Sequence, residues 1–232
     1  MIDVKDLKNC PDPVARYLRK AGVLGIERKA FAHILHGGEF RLKPKQRWFP
    51  IKGEYHFRPE ARTFDWQARI TFFPLVFVTV RDEYEAGIGR SLVKLEGILP
   101  IGDQTGAAVN ESSLCRLLVE LIMMPTALVP GTNLYWEAID AQHARVVLSD
   151  SGFKVAAVVE FNDQDLPVKT SIDRLGEFDG EMKKVSFVCE LSNYNRFDGL
   201  LIPCTVNGYW DLPEEKFYWL RFQVTKVEFA AS

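Results

Sequence analysis

Residues 110–130, NESSLCRLLVELIMMPTALVP, form the most apolar run of the chain and fall near its middle. The spacing of one helical face, i, i+3, i+4, i+7 and i+8, is occupied by Leu114, Leu117, Leu118, Leu121 and Ile122. This spacing predicts one helix, over residues 112–124, in the body of a chain whose other segments read as strands.

The surroundings of this run predict the ends and the burial of the helix. Asn110 or Ser112 is suited to cap its start, and Pro125 ends it because proline lacks a backbone N–H. A helix that is apolar on most faces is buried on most faces, and this one is too short to span a bilayer, which takes about 20 apolar residues. We therefore expect a core helix packed on a sheet. A sharper hypothesis is that it lines a cavity, with Met123 and Met124 as an adaptable wall.

Two charged residues, Arg116 and Glu120, interrupt the helix at i, i+4 spacing. As an exposed pair they would contribute only about 0.3–0.5 kcal/mol. If Glu120 is buried, it needs a cationic or hydrogen-bonding partner. The environment of Glu120 therefore decides whether it is a surface residue or a functional acid.

Composition excludes several classes of protein. The 232 residues carry a net charge of −2, which gives no basic footprint for nucleic acid. No stretch has the apolar length of a membrane span, and the first residues lack the basic and apolar regions of a signal peptide. The four cysteines are widely spaced and form no C-x-x-C pair. We predict free thiols and a cytoplasmic location.

The remaining segments alternate between apolar and polar residues with the period of a strand. The clearest case places Phe64, Trp66, Ile70 and Phe72 on one face of residues 64–72. About ten strands joined by short turns cannot stay flat and should curl into a barrel or half-barrel. The predicted fold is mainly β (α+β), a single curved antiparallel sheet with the apolar helix across its concave face. We predict one domain over 1–232, made of a helical segment (1–24), a first β half (28–108), the helix and its proline-bounded turn (110–130) and a second β half (134–229).

Sequence signatures of catalysis and of cofactor binding are missing. There is no nucleophile elbow, phosphate loop or dinucleotide fingerprint, so no catalytic residue and no cofactor is predicted. His33 and His36 fall on opposite faces of one strand and cannot hold one metal ion together. A zinc site would require His56 and a carboxylate to converge with one of them, and the spacing gives no sign of this. We therefore predict no metal.

Several segments together resemble a known family. They are PDPVARYLRKA (11–21), GGEFRLKPKQRWFPIKGEYHF (37–57), FDWQARI (64–70), VRDEYEAGIG (80–89), LVELIMMPTALVPGTNLYWEAID (118–140) and DGLLIPCTVNGYW (198–210). Over nearly the whole chain they resemble an uncharacterised bacterial family known only as a domain of unknown function. The layout is also similar, more loosely, to the lipoprotein-localisation-factor (LolA/LolB-like) fold. That second resemblance implies a curved sheet with a greasy interior, while fold alone does not imply function.

These observations lead to one main functional hypothesis, a non-enzymatic protein that binds an apolar or lipid-like small molecule inside the half-barrel. The candidate ligand-binding residues are Phe64, Trp66, Ile70, Phe72, Arg81, Leu117, Glu120, Leu121, Met124, Trp136 and Arg174. Among them Glu120, Arg81 and Arg174 would hold a polar head group. Two alternatives stay open: an enzyme that uses a buried Glu120 as acid or base, and an interaction module with an exposed apolar patch. Protein partners are not predicted.

Overall fold

The structure of the protein is a computed structural model, and it describes residues 1–178 and 180–231. Within these residues the helices are α1 (Asp12–Ala21) and α2 (Ala107–Glu120), with short 3-10 turns at Val4–Leu7, Leu121–Met123 and Pro125–Leu128. The strands are β1 (Lys29–Phe40), β2 (Phe49–Arg58), β3 (Thr63–Phe73), β4 (Val76–Glu85), β5 (Ile88–Leu95), β6 (Leu99–Gln104), β7 (Leu134–Ala138), β8 (His143–Asp150), β9 (Phe153–Phe161), β10 (Pro167–Phe178), β11 (Glu181–Phe197), β12 (Leu200–Asp211) and β13 (Lys216–Ala231).

The described strands form one antiparallel sheet in the order β6-β5-β4-β3-β2-β1-β13-β12-β11-β10-β9-β8-β7. Consecutive strands pair with each other except β6 and β7, which form the two edges of the sheet, and the pairing of β1 with β13 joins the two halves of the chain. The described part of the chain thus has thirteen strands where the sequence predicted about ten.

The sheet curls around α2. This helix contacts β4 and β5 from one half of the sheet and β9 and β10 from the other. Strands β5 and β10 are second and tenth in the order, so a flat sheet would hold them about 38 Å apart at about 4.8 Å per strand. A helix is only about 10–12 Å across. The sheet must therefore wrap around it, which confirms the predicted half-barrel. The side that faces α2 is the inner face, and the opposite side is the outer face.

The start of α2 differs from the prediction. The helix begins at Ala107, preceded by Gly106 in a positive-φ conformation (φ 106°), and it has no side-chain cap. Asn110 instead accepts a 2.9 Å hydrogen bond from a backbone N–H of β5. Ser112 donates a 2.8 Å hydrogen bond to a carbonyl of β10. The predicted capping was wrong because these side chains satisfy backbone groups of the two sheet halves.

The apolar face predicted for residues 64–72 is the inner face. Phe64, Trp66 and Ile70 on β3 are each about 2% exposed and belong to the core that surrounds α2. Leu117, Leu121 and Met124 are buried against the same core. The apolar face of β3 therefore packs against the apolar stripe of α2, because burial of apolar surface is favourable for both.

Polar contacts connect distant strands of the sheet. Tyr84, near the end of β4, donates a 2.7 Å hydrogen bond to Oδ2 of Asp150, which ends β8. Arg62, in the turn between β2 and β3, forms an ion pair with the other oxygen of Asp150. Burial opposes the charge of Asp150, but these hydrogen bonds outweigh it and lower the pKa of the carboxyl. The contacts help to hold the curl of the sheet.

Two further predictions concern thiols and membrane spans. The four cysteines are free, with Cys115, Cys189 and Cys204 buried and Cys10 partly exposed. Across residues 1–178 and 180–231, none of the helices combines the length and the apolar character needed to cross a membrane.

Candidate functional site

A buried ionic cluster lies between α2 and the inner face of β2 to β4. At its centre is Arg116, whose side chain is 5% exposed. Its Nε donates to Glu120 Oε1 at 2.8 Å, and its Nη2 donates to Tyr55 Oη at 2.9 Å. Its Nη1 forms an ion pair with Asp82 on β4. Tyr55 in turn donates to Glu120 Oε1 at 2.9 Å, so one guanidinium joins two carboxylates and a phenol.

The surroundings of Arg116 keep it charged. Burial alone would favour the neutral form, but the negative charges of Glu120 and Asp82 hold the pKa of the guanidinium well above its ordinary value. The guanidinium carbon also lies 4.4 Å from the centre of the Trp66 ring, within range of a cation–π interaction. Glu120, whose side chain is 13% exposed, is paired with Arg116 inside the sheet and is therefore not a surface residue.

The second oxygen of Glu120 is the unusual atom of the cluster. Oε2 is buried and has no hydrogen-bond partner among the described residues. An unpaired buried oxygen costs about 1–3 kcal/mol or more, so most such atoms in proteins are paired. Glu120 also lines a cavity beside α2. The carboxylate thus has one oxygen held in place and one available.

A second arginine, the partly buried Arg174 on β10, lines the same cavity. Its Nε donates a 2.8 Å hydrogen bond to the Ser112 hydroxyl, and its guanidinium carbon lies 5.3 Å from the Phe187 ring centre and 5.7 Å from that of Trp210. Among the described residues no carboxylate forms an ion pair with it within 4.0 Å. Burial and the charge of Arg116 lower its pKa. Within the part of the chain that the structure describes, Arg174 is therefore a partly buried cation without a carboxylate partner.

Arg116 and Arg174 lie between two spaces, an entrance pocket and an inner cavity. The entrance pocket has a volume of about 150 Å³ and is lined by polar groups that include Gln104 and Glu177. The inner cavity has a volume of only about 20 Å³, which is room for about one water molecule. Its apolar wall consists of Val119, Ile122, Met123, Phe187, Leu191, Val206, Leu220 and Phe222. The site as a whole is a polar entrance, a charged junction and an apolar end.

His36, on the inner face of β1, adjoins the cluster. Its Nε2 accepts a 2.8 Å hydrogen bond from Trp66 Nε1, the residue that stacks under Arg116. Burial and the positive charge of Arg116 lower the pKa of His36 to about 3. His36 is therefore neutral near pH 7 and serves as an acceptor that fixes the Trp66 ring.

Two of the predicted site residues, Leu117 and Leu121, face a different cleft on the other side of α2. This cleft has a volume of about 310 Å³ and is lined by residues of the 126–134 segment and by Leu148. Arg28, Lys29 and Arg62 lie at its edge. Arg28 donates to the carbonyls of Val129 and Pro130 at 2.9 and 2.8 Å. The sequence predicted a single ligand-binding space beneath the helix. The structure instead has two separate spaces, the inner cavity and this cleft.

Other predicted residues are distributed around the core. Phe64 and Trp66 lie beneath Arg116. Ile70 and Met124 are fully packed, and Phe72 contacts Phe49 with ring centres 4.6 Å apart.

Trp136 and Arg81 lie away from the ionic cluster. Trp136 donates a 2.9 Å hydrogen bond to the Leu128 carbonyl, which places it near the end of the 3-10 turn Pro125–Leu128. Arg81 is half-exposed and pairs with Asp65 and Glu83 at 2.9 and 3.0 Å. Arg81, Asp65 and Glu83 project from the outer face of the sheet. The structure therefore does not bring Arg81 to Glu120 and Arg174. Strand alternation explains this, because Arg81 is next to the inward-facing Asp82.

Sequence reasoning missed Tyr55, Asp82 and His36 as members of the site. One signal was present for Asp82, since it shares strand parity with Val80 and Tyr84 and therefore faces inward with them. A carboxylate in an inward position needs a cation. That the cation would be Arg116 depends on packing between α2 and β4, which sequence periodicity does not report.

An exposed apolar group lies on two hairpins at one edge of the sheet. Leu75, between β3 and β4, is 87% exposed, and Ile98, between β5 and β6, is 83% exposed. Leu99 and Ile101 on the edge strand β6 are also exposed. The hypothesis of an interaction module therefore stays a prediction.

The fold and the site define a class of protein, a half-closed antiparallel β-sheet wrapped around a helix that carries a buried ionic cluster. The chain belongs to DUF6544, a family of unknown function, whose sequence profile matches residues 1–222. This confirms the resemblance to a family of unknown function that the sequence motifs indicated. No curated protein matches the chain.

Solved structures that resemble the chain have low sequence identity to it. One is a DUF1329 family protein from Desulfovibrio piger, with 11% identity, a TM-score of 0.47 and coverage of 94% of this chain and 91% of that one. Another is a LolA superfamily protein from Nitrosomonas europaea, with 12% identity, a TM-score of 0.41 and coverage of 91% of each chain. Both likenesses are distant, and nothing about the function of this chain is inferred from them.

Proposed function

We propose that the protein binds an apolar or lipid-like small molecule in the space between α2 and strands β10 to β13, without catalysing a reaction. The observation that carries this proposal is the pairing of a charged junction with an apolar cavity in one enclosed site. A few placed polar groups in a mainly apolar pocket are typical of small-molecule sites. The polar end of the ligand lies at Arg174 and Glu120, and its apolar part lies along Ile122 and Phe222.

The charges of the site favour a polar end with both an acceptor and a donor. Arg174 has no carboxylate partner among the described residues, so it supplies hydrogen bonds to an acceptor such as a carboxylate or a hydroxyl oxygen. Glu120 Oε2 has no partner either, so it accepts from a hydroxyl or amine. Arg116 is already neutralised by Asp82 and Glu120 and acts as the fixed centre of the junction.

A lipid-sized ligand requires the inner cavity to widen, because its volume of about 20 Å³ holds about one water molecule. The segment that moves is the 3-10 turn Leu121–Met123 and the following Met124. A 3-10 turn at the end of an α-helix has weaker hydrogen-bond geometry than the helix, and methionine side chains adapt to new shapes. The ligand therefore takes the place of Met123 against the inner face.

The test is extraction and mass spectrometry of the purified protein, followed by binding of a brominated long-chain fatty acid read out by tryptophan fluorescence. Trp219 lines the cavity and reports quenching. Arg174→Gln is expected to weaken binding at least about tenfold, since a hydrogen bond to a charged group contributes about 1.5–3 kcal/mol. Arg81→Gln is the matched control, because Arg81 is half-exposed on the outer face. Equal binding by both variants would contradict the proposal.

Two further variants place the ligand. Val206→Phe narrows the inner cavity and is expected to reduce binding, while Ala127→Trp narrows the separate cleft beside Leu117 and is expected to leave binding unchanged. Circular dichroism checks that each variant is folded. Binding lost only in Ala127→Trp would move the ligand to that cleft and overturn the proposed site.

A second function, acid–base catalysis by Glu120, is favoured by the unpartnered Oε2 atom that lines the cavity. A held carboxylate with one available oxygen is what a general base requires. Extracted material is incubated with wild-type protein and with Glu120→Gln, and its mass is followed. A mass change that only the wild-type protein produces would establish catalysis and replace the binding proposal.

A further inference from the structure

Two histidines and a glutamate converge on the outer face of the sheet, opposite to the ionic cluster. His33 lies on β1, and His56 is its direct partner on β2. Glu54 lies two residues before His56 on the same strand, so all three side chains project from one face. Each offers one ligand atom, and these atoms lie within 4.8 Å of one another. Over residues 1–178 and 180–231 this is the one group of three or more His, Cys, Asp or Glu side chains close enough to hold a metal ion.

The distances within the group suit one shared ion. Glu54 Oε2 lies 2.7 Å from His33 Nε2 and 3.9 Å from His56 Nε2. Ligands at about 2.0–2.2 Å from a tetrahedral zinc ion are about 3.3–3.5 Å apart, so these values bracket the required spacing. Binding of one ion in the planes of both rings requires the Glu54 carboxylate to rotate and the His56 ring to turn out of its stack on His33. Two imidazoles and one carboxylate are a donor set that zinc and similar divalent ions prefer.

Neighbouring side chains contact both imidazoles, and one of them orients His33. The rings of His33 and His56 are stacked with centres 4.5 Å apart, and Phe31 lies 5.9 Å from the His56 ring. Glu228 on β13, the partner of His33 in the sheet, places Oε2 3.4 Å from His33 Nδ1. A carboxylate on the second ring nitrogen fixes the orientation of a histidine so that the other nitrogen binds the metal.

An ordinary ion pair explains only part of this arrangement. It accounts for the contact between Glu54 and His33, but it requires neither a second imidazole near the same carboxylate nor a second carboxylate behind His33. The half-exposed position also matters, because His33 and His56 are 24% and 31% exposed and the site is open on one side. Three protein ligands with one open position are typical of a zinc site that also binds water.

We propose that His33, Glu54 and His56 bind a divalent first-row transition-metal ion with imidazole preference, such as Zn²⁺, and leave one coordination position to solvent. Glu228 is a positioning residue that acts through His33. The site lies on the opposite face of the sheet from Arg174 and Glu120, so it does not depend on the proposed ligand-binding function.

The experiment is calorimetric titration of chelator-treated full-length protein with Zn²⁺ at pH 7.5. Wild-type protein is expected to bind one equivalent. His33→Gln, His56→Gln and Glu54→Gln are each expected to weaken binding more than a hundredfold, and Glu228→Gln about 10–100-fold, as expected for an outer partner of a metal ligand. His143→Gln is the matched control, because His143 also lies beside carboxylates, Asp140 at 2.9 Å and Glu160 at 3.9 Å, but it has no second histidine. It is expected to bind like the wild type.

A second measurement distinguishes this site from the thiols. Cys10 is partly exposed and could bind zinc by itself. The Co²⁺ complex of the protein is expected to show a visible spectrum without a thiolate charge-transfer band, and histidine ring signals of His33 and His56 in NMR spectra are expected to shift on Zn²⁺ addition. Binding that persists in His56→Gln, or that is lost in Cys10→Ser, would overturn the proposal.

Discussion

Arg116 Nε and Glu120 Oε1 are 2.8 Å apart, one turn from each other on α2, and both side chains lie inside the curled sheet. On an exposed helix this pair would contribute little, and its order along the helix is the less favourable one. Inside the sheet the pair is completed by Asp82 and Tyr55. The charges of this cluster thus stabilise one another. Removal of one of them leaves the others buried without a partner, which destabilises the folded protein.

The first prediction concerns loss of the central cation. Arg116→Met is expected to lower the free energy of unfolding by about 3–5 kcal/mol, because it leaves Asp82 and Glu120 as buried carboxylates without a cation. Urea unfolding followed by circular dichroism measures the loss. The triple variant Arg116→Met/Asp82→Asn/Glu120→Gln removes the charges together and is expected to recover part of the stability. A loss below about 1 kcal/mol for the single variant would show that the carboxylates are hydrated rather than buried.

The second prediction concerns acid sensitivity from His36. Its pKa is about 3 in the folded protein and about 6.5 in the unfolded chain, so the unfolded state binds the proton first as the pH falls. Above pH 6.5 His36 is neutral in both states, and its burial does not reduce the free energy of unfolding. As the pH falls from 6.5 towards 3, protonation of the unfolded chain lowers the free energy of unfolding. Between pH 7 and pH 5 this group alone should cost about 2 kcal/mol.

The comparison that isolates this effect is His36→Gln, which keeps an acceptor for Trp66 and removes the titrating ring. Urea unfolding at pH 7 and pH 5 should show a smaller acid-linked loss in the variant than in the wild type, by about 2 kcal/mol. His143→Gln, at a partly exposed histidine, should keep most of the wild-type pH dependence. Identical pH profiles for His36→Gln and the wild type would contradict the burial of His36.

The third prediction concerns the contact between β4 and β8. Asp150→Asn removes the ion pair with Arg62 and weakens the hydrogen bond from Tyr84, and it is expected to lower stability by about 1–3 kcal/mol at pH 7. The pKa of Asp150 is lowered in the folded protein, so its contribution is present above the unfolded pKa and is lost as the pH falls through the folded value. The wild type and the variant should therefore converge in stability as the pH is lowered through the folded pKa of Asp150, which lies below its ordinary value. Asp211→Asn, at an exposed position, is the control and should change stability little.

The fourth prediction concerns Gly38 on β1. A Cβ atom at this position would lie 2.0 Å from the Arg221 carbonyl oxygen and 2.8 Å from Phe222 Cα, both backbone atoms of β13. Gly38→Ala is therefore expected to separate β1 from β13, the pair that joins the two halves of the sheet, and to cost about 3 kcal/mol or more. Gly131→Ala, where a Cβ would meet no atom within 4 Å, is the control for thermal unfolding. Equal melting temperatures for both variants would contradict this pairing of the two strands.

The parts of the fold that follow from local pattern were predictable. The alternation at Phe64, Trp66 and Ile70 identified the inner face of β3, and the apolar stripe of residues 110–130 identified the helix that occupies it. The start of α2 was not predictable in the same way, because Asn110 and Ser112 bond to strands that are far apart in sequence. At Asn110 and Ser112, hydrogen bonds to distant strands thus outweighed the local preference of these residues for capping a helix.

The candidate site shows the same division. Glu120 and Arg174 could be proposed from the sequence as polar groups in apolar surroundings, but Arg81 was placed with them wrongly. His33 and His56 illustrate the opposite case, since their convergence with Glu54 depends on the register of β1 against β2.

Periodicity by itself determined that this protein is a curled antiparallel sheet around one apolar helix, because burial of alternating and helical apolar faces is a property of each segment alone. Only the tertiary structure decided which charges became partners. Arg116 meets Asp82, and His33 meets Glu54 and His56, through strand register and through the position of α2 on the sheet. Those relationships join residues distant in sequence, and the free energy that fixes them belongs to the packing of the whole fold.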